Sequence, residues 1–490
     1  MKLCKLLLPV MVLTITIVSQ PAWSAANESA RPNIVVILCD DLGYGDLACY
    51  GHPHIRTPNL DKLAADGIRL TSCYSAAPVC SPSRVGLMTG RSPNRAGVYD
   101  WIPEASGARL DDRDQVHMRR EEVTIPQLLK RAGYATCLAG KWHCNSHFNS
   151  DEQPQPGDSG FDHWFATQNN AAPSHEHPRN FVRNGKPAGD LTGYSCQLVT
   201  DEAISWLEKL NAEKPDQPFF LFTAFHEPHE PVASPSELVA KYASVASNED
   251  EAQYFANVEN VDIAVGRLLK ALKRLAKLEN TLIVFTSDNG PETLKRYRGA
   301  ERSYGRPTPL RGMKLWTTEA GFRVAGIVSW PAQITSPEVS DQPVSSLDFL
   351  PTFCKLAKTK APDNLKLDGT NFLPLLNGDT IQRDTPLFWC YFNALNEHRV
   401  AMRNGPWKLL ARLDKGKFPK LQNVNTRNIE AVRSAKLTDF ELYCVTEDIG
   451  ESRNVIGEHT QEAKSLKKKL EAIYRDLAET SHHWTVTGNK

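Results

Sequence analysis

The stretch Cys80-Ser81-Pro82-Ser83-Arg84, continuing through Met88-Thr89-Gly90-Arg91, puts a thiol, a proline and a guanidinium at close spacing. Read by local rules, Ser81 is an N-cap, Pro82 takes the first helical position, and Gly90 ends the helix about two turns later. Cys80 is then expected at a helix N-terminus, where unpaired backbone N–H groups and the helix dipole favour negative charge. These residues alone leave two readings open: an acidified thiol beside an anion site, or a buried cysteine next to a turn.

Four apolar runs elsewhere end in polar residues fit for chemistry. Asn33 to Cys39 runs into Asp40-Asp41, and Asn280 to Ser287 runs into Asp288-Asn289. Tyr134 to Gly140 leads to Lys141 and His143, and Pro218 to Phe225 leads to His226 and His229. Asp40, Asp41, Asp288 and Asn289 are hard oxygen donors of the kind Ca²⁺ takes, with Mg²⁺ the alternative. A single Asp reads as a cap or turn residue; two such pairs at strand ends argue for one cation. Lys141 and Lys314, taken singly, read as surface lysines. Cys137, His143, Cys144 and His147 match no standard zinc spacing, and a strand running into a loop explains them better.

These residues need elements to bring them together. The four runs read as buried strands, with helical signals between them: Thr57 and Pro58 opening one helix, Thr124 to Gly133 a second, and apolar stripes from Asp201 and from Val258. Strands alternating with helices predict an α/β fold, a large mainly parallel mixed sheet sandwiched by helices, with ligands at the carboxyl ends of the strands. After about residue 380 the pattern changes. His398 to Leu413 alternates like a hairpin around Asn404-Gly405, Phe440 to Val445 reads as another strand, and a helix spans roughly Thr460 to Glu479. The expected organisation is therefore a larger domain over 25–380, which carries these residues, and a smaller antiparallel sheet plus helix over 381–490.

Composition narrows the partners. With 57 basic and 57 acidic residues in 490, no global field recruits nucleic acid or an anionic membrane, so any anion preference is local. Lys2 and Lys5, an apolar run from Leu6 to Val18 and Ala22-Trp23-Ser24 read as a secretory signal over 1–24. The mature chain is expected outside the cytoplasm, in a periplasmic, secreted or lysosome-like compartment, touching membrane only through the signal during export. Ten cysteines remain after the signal; their irregular spacing in so large a chain excludes a disulfide scaffold and leaves any pairing unreadable.

The Cys80 stretch resembles the signature of the type I, formylglycine-dependent sulfatases of the alkaline phosphatase superfamily. The resemblance continues in order through "CDDLGYGDLACYG", "TPNLDKLAADG", "GYATCLAGKWH", "HEPHEPV", "TSDNGP", "LRGMKLWTTEAGFRV" and "ELYCVTEDIGESRNV". It implies an alkaline-phosphatase-like fold and oxidation of Cys80 to formylglycine by a formylglycine-generating enzyme, which reads Pro82 and Arg84. It further implies that the aldehyde hydrates, one hydroxyl attacks the sulfate sulfur, and deprotonation of the other expels sulfate. A serine lacks that second hydroxyl and would stay sulfated.

Carried over by motif, Asp40, Asp41, Asp288, Asn289 and the modified Cys80 hold one Ca²⁺ ion. Arg84 fixes the formylglycine hydroxyl, Lys141 and Lys314 bind sulfate oxygens, His143 handles the second hydroxyl's proton, and His229 protonates the leaving oxygen. His226 has no family counterpart and reads as a solvated loop residue; His52, His54 and His147 are given no role. Two departures, Glu319-Ala320-Gly321 and Val324-Ala325, put local loop geometry in doubt. The pattern is closest to the arylsulfatase A and N-acetylgalactosamine-6-sulfatase group, implying a sulfated carbohydrate or aryl sulfate substrate. Phe165 to Gly185 is the expected substrate loop, with Asn169, Asn170, Ser174 and His175 the candidate contacts. The rivals are a phosphomonoester or phosphonate ester hydrolase of the same superfamily and a non-catalytic glycan-binding relative.

Overall fold

The computed structural model describes residues 31–105, 112–297, 299–334 and 336–486, so the signal read in 1–24 lies outside the described residues. The strands of the larger, eleven-stranded sheet are β1 (Asn33–Asp40), β2 (Ile68–Tyr74), β3 (Ala135–Lys141), β4 (His163–Thr167), β5 (Val182–Arg183), β6 (Lys186–Pro187), β7 (Phe219–Pro228), β8 (Thr281–Ser287), β9 (Arg323–Ser329), β10 (Glu338–Ser340) and β11 (Val344–Ser345). The smaller sheet holds β12 (Leu387–Cys390), β13 (Val400–Asn404), β14 (Trp407–Leu413) and β15 (Leu437–Cys444). The α-helices are α1 (Pro58–Ala65), α2 (Cys80–Thr89), α3 (Ile125–Arg131), α4 (Ser195–Glu213), α5 (Ser236–Tyr242), α6 (Glu249–Arg274), α7 (Glu319–Phe322), α8 (Phe349–Leu356), α9 (Ile429–Ser434) and α10 (Thr460–Thr480).

The large sheet runs β10-β2-β9-β8-β1-β7-β3-β4-β5-β6, with β11 paired to β2. β1 is parallel to β7 and β8, and β3 to β7 and β4, whereas β9 runs antiparallel to β8 and β2. Alternate side chains of β1 explain why it is buried on both faces. Ile34, Val36 and Leu38 enter one core with side chains of α2, α3 and α8; Val35, Ile37 and Cys39 enter another with α1, α4 and α6. The parallel strands β1, β3, β7 and β8 therefore deliver their terminal residues to one edge.

Close strand packing depends on a glycine beside that edge. Gly140 has φ 114°, and a Cβ there would lie 1.8 Å from the carbonyl oxygen of Ala224 on β7. Gly140→Ala is expected to destabilise the fold by about 3 kcal/mol or more, read as a lower urea midpoint, because backbone must move to admit the methyl.

The small sheet matches its sequence pattern with one shift. Asn404 pairs with Trp407, so the two-residue turn is Gly405-Pro406 and not Asn404-Gly405; Gly405 supplies φ 59°. One face packs on α10 through Leu466, Leu470, Tyr474 and Leu477. The other buries Leu387, Trp389, Ala401 and Leu410 against Tyr74 and Phe322, with Trp389 stacked on Phe322 at 3.9 Å. Lys408 crosses this junction to Glu319 at 2.9 Å and Glu451 at 2.8 Å, all three buried. All ten cysteines among the described residues are free.

Candidate active site

Helix α2 meets the carboxyl edge of the sheet, and it starts two residues earlier than expected. Val79 is the extended N-cap residue, Cys80 the first helical residue and Pro82 the third, where a missing N–H still leaves no helical bond unmade. Ser81 is not the cap; its Oγ accepts from the Ile102 backbone N–H at 3.0 Å. Gly90 closes the helix at φ 65°. Cys80 is 3% exposed, and burial pushes its thiol up to about 12 against the pull of Lys141 and Lys314. Of the two readings, this environment favours the buried cysteine, because desolvation is the largest influence on the thiol.

Asp40 ends β1 and Asp41 follows it, and Asp288 and Asn289 follow β8. Asn289 Nδ2 donates to Asp41 Oδ1 at 2.6 Å and the Asp41 backbone N–H to Asp288 Oδ1 at 3.3 Å, tying the two pairs together. Three buried cations answer the three carboxylates. Arg84 donates through Nε to Asp288 Oδ2 at 2.8 Å and through Nη1 to the Lys141 carbonyl at 2.9 Å. Lys141 Nζ bonds Asp40 Oδ2, and Lys314 Nζ reaches Asp41 Oδ2 at 2.7 Å. Burial opposes it, but Lys141, His229 and Arg84 hold the Asp40 carboxyl well below the usual range; burial and Asp40 push Asp288 up.

This set fits a divalent cation. Asp40 Oδ1 and Asn289 Oδ1 are buried acceptors without a hydrogen-bond partner. Asp40, Asp41 and His229 bring one ligand atom each within 4.8 Å of one another. Hard oxygens left unpaired in a dry pocket are what such an ion takes. Cys137 lies in the core of β3, and Cys144 donates to the Trp142 carbonyl at 3.3 Å; neither belongs to a metal cluster among the described residues.

The two histidines are oriented by backbone carbonyls. His143 Nε2 bonds the Ile102 carbonyl at 2.9 Å, leaving buried Nδ1 without a partner, and burial and Lys141 push the ring well below its ordinary pKa. His229 Nδ1 bonds the Glu230 carbonyl at 2.8 Å, which turns Nε2 towards Asp41 Oδ2 at 3.6 Å. His226 is not a solvated loop residue. It lies within β7, 1% exposed, with Nε2 2.7 Å from Thr167 Oγ1 and its ring edge-on to Phe181.

A pocket of about 400 Å³ opens over this cluster, lined in part by Cys80, His143, His229 and Lys314. Asn169 and Asn170 line it, and Asn170 Oδ1 accepts from Lys141 Nζ at 3.3 Å. Ser174 and His175 do not: His175 is fully buried, its Nδ1 3.3 Å from Asn257 Nδ2, because the loop turns back into the core after Asn170. Six further lining residues escaped the sequence reading: Trp101, Glu230, Arg296 and Tyr297, with apolar Val79 and Leu315. Glu230 adjoins His229 and Arg296 follows closely on Asp288-Asn289, so adjacency to the motifs is the signal that could have found them. The Glu319-Ala320-Gly321 departure is accommodated. A Cβ at Gly321 would sit 1.9 Å from the Trp316 carbonyl, so glycine is needed there, while the Ala320 and Ala325 methyls are buried in the core.

Comparison with known proteins shows what the chain is similar to. A family model described as Sulfatase matches residues 32–359, and one described as N-sulphoglucosamine sulphohydrolase, C-terminal, matches 313–476. The chain is 35% identical to arylsulfatase A of Homo sapiens, over 93% of this chain and 90% of that one. It is 33% identical to N-acetylgalactosamine-6-sulfatase of Rattus norvegicus, over 81% of this chain and 75% of the relative. The crystal structure of Ps i-CgsB in complex with k-i-k-neocarrahexaose superposes with a TM-score of 0.75 at 28% identity, covering 93% of this chain and 95% of that one.

Proposed function

The chain belongs to the sulfatase family and is a sulfuric ester hydrolase, and from that premise we propose that it cleaves sulfate monoesters of carbohydrates with a formylglycine made from Cys80 beside one Ca²⁺ ion. The observation that carries this is the convergence of Asp40, Asp41, Asp288 and Asn289 under a pocket lined by Cys80, with two acceptor oxygens left unpaired. As formylglycine hydrate, position 80 supplies an oxygen nucleophile and a second hydroxyl whose deprotonation releases sulfate. The ion supplies Lewis acidity at a sulfate oxygen, and an all-protein donor set suits Ca²⁺ better than Mg²⁺, which keeps more of its water.

The chain's own groups have complementary work. The charges of Asp40, Asp41 and Asp288 are balanced by those of Arg84, Lys141 and Lys314, so the net positive field that draws an anionic ester requires the cation. Lys141 and Lys314 present ammonium groups to the sulfate oxygens. Arg84 stands one helical turn after Cys80 on the same face of α2, which puts its guanidinium beside residue 80. With Nε2–H given to a carbonyl, neutral His143 offers the lone pair of Nδ1 as a base. His229, with Nδ1–H spent on Glu230, carries at Nε2 the proton for the leaving oxygen.

The relative named N-acetylgalactosamine-6-sulfatase and the similar structure in complex with k-i-k-neocarrahexaose support the carbohydrate reading. Export to a periplasmic, secreted or lysosome-like compartment, and maturation by a formylglycine-generating enzyme, complete the proposal. Among the described residues no helix is long and apolar enough to cross a membrane.

The test is sulfate release by aldehyde-bearing protein from aryl sulfate and from a panel of sulfated glycans, with aryl phosphate as the competing substrate. Absence of sulfate release from all of them, or faster turnover of the phosphate, refutes the proposal. His229→Asn is expected to lower kcat about a hundredfold on a sugar sulfate, whose alkoxide needs a proton, and far less on 4-nitrophenyl sulfate, whose phenolate does not.

A further inference from the structure

The pocket wall away from the carboxylate cluster carries groups that the proposed chemistry does not use. Glu230 is 5% exposed, and its Oε1 accepts from the Tyr297 hydroxyl. Its Oε2 is buried without a hydrogen-bond partner, 3.5 Å from a His229 Nδ1 already committed to a carbonyl. Asn169 Oδ1, on the same pocket, is a second buried acceptor without a partner. The cations lining the pocket among the described residues are engaged: Arg296 with Glu292, and Lys314 with Asp41.

A buried acceptor lacking a donor is costly, and because Glu230 and Asn169 both line the pocket, a small side-chain rotation that turns the oxygen to a ligand hydroxyl removes that cost. Resting on the sulfatase reading, we propose that Glu230 Oε2 and Asn169 Oδ1 accept hydroxyl protons from a sugar that carries a single sulfate, and that Glu230 rejects sugars with a second anionic group beside the scissile ester. A carboxylate or second sulfate has no proton to give. It leaves both acceptors unpaired and sets like charges together in a confined space. Trp101, partly exposed on the same pocket, offers an aromatic surface to a sugar's C–H face.

The experiment compares kcat/KM of aldehyde-bearing enzyme on three probes: 4-nitrophenyl sulfate, a neutral hexose monosulfate, and the same sugar bearing a second sulfate. The wild type is expected to favour the monosulfate over the disulfate by about tenfold or more. Glu230→Gln is expected to shrink that ratio by about tenfold, a change that a merely structural role would not produce. Asn169→Ala is expected to lower the monosulfate rate relative to 4-nitrophenyl sulfate severalfold, mostly through KM. A wild type that hydrolyses the aryl sulfate but favours the disulfate overturns the proposal, as does a ratio unmoved in an active Glu230→Gln enzyme. Failure of the wild type on all three probes overturns the sulfatase reading itself, and this proposal with it.

Discussion

Cys80→Ala protein is expected to lose sulfate release by about six orders of magnitude while keeping its fold, and Cys80→Ser protein to become sulfated once and stop. The two variants separate the two tasks assigned to position 80. Alanine removes the nucleophile but leaves Lys141, Lys314 and the carboxylate cluster to bind the ester, so affinity for a sulfate ester persists when turnover is gone. Serine keeps one oxygen of nearly the right reach, and the pocket aims it at the same sulfur. It has no second hydroxyl for His143 Nδ1 to deprotonate, so a sulfated serine has no route to release. Intact mass after incubation with aryl sulfate checks this: one added SO₃ on Cys80→Ser, none on Cys80→Ala. The peptide spanning residue 80 of active wild type should also be lighter than its cysteine form, since oxidation exchanges sulfur for oxygen. Fully active wild type with a free thiol would overturn the assignment. The native thiol is an implausible nucleophile in any case, because burial lifts it to about 12.

How far the sequence foretells this site depends on whether a residue's position is set locally. Asp40-Asp41 and Asp288-Asn289 were legible because continuous apolar runs mark buried parallel strands, and parallel strands put their chemistry at one edge. The helix opening at Thr124 and the hairpin near Gly405 were equally local, since a cap or a turn needs particular residues within three positions, although the turn itself falls one residue later than expected. His226 was misread because the apolar run ends at Phe225 while β7 continues to Pro228. The β1–β7 register steps from Leu38↔Ala224 to Asp40↔Pro228, and a bulge of that kind leaves no mark on hydrophobic pattern. The start of α2 was misplaced because Pro82 is acceptable anywhere in the first turn, so the proline alone does not fix the first residue. Ser174 and His175 failed for a tertiary reason: polarity suggested a substrate loop, yet His175 is enclosed near Asn257 of α6, far along the chain. Trp101 and Tyr297 meet only in the folded pocket, and no spacing rule joins residues that distant.

The carboxylate of Asp41 is where loss of one charge should cost most after residue 80. Its φ of 61° lies in the left-handed region, which Asn tolerates as readily as Asp, so Asp41→Asn removes charge with little backbone strain. The consequence is electrostatic. Asp41 Oδ2 holds Lys314 Nζ at 2.7 Å and faces His229 Nε2 at 3.6 Å, while Oδ1 accepts from Asn289 at 2.6 Å. An amide offers one acceptor and one donor in their place, so either Lys314 or Asn289 meets an N–H₂ group. The buried cations then exceed the carboxylates before any metal arrives, which opposes uptake of a divalent ion. The expected result is a fall in kcat/KM of about a thousandfold, roughly 4 kcal/mol of transition-state stabilisation, with bound Ca²⁺ well below one per chain. Excess Ca²⁺ should restore part of the rate if affinity is the main loss. Asp41→Ala adds a strained φ of about 1–2 kcal/mol, so its unfolding midpoint should drop below that of Asp41→Asn, separating charge from strain. A stoichiometric, near-wild-type Asp41→Asn enzyme would remove Asp41 from the metal site. The electrostatic balance of the pocket would then have to be carried by Asp40 and Asp288 alone.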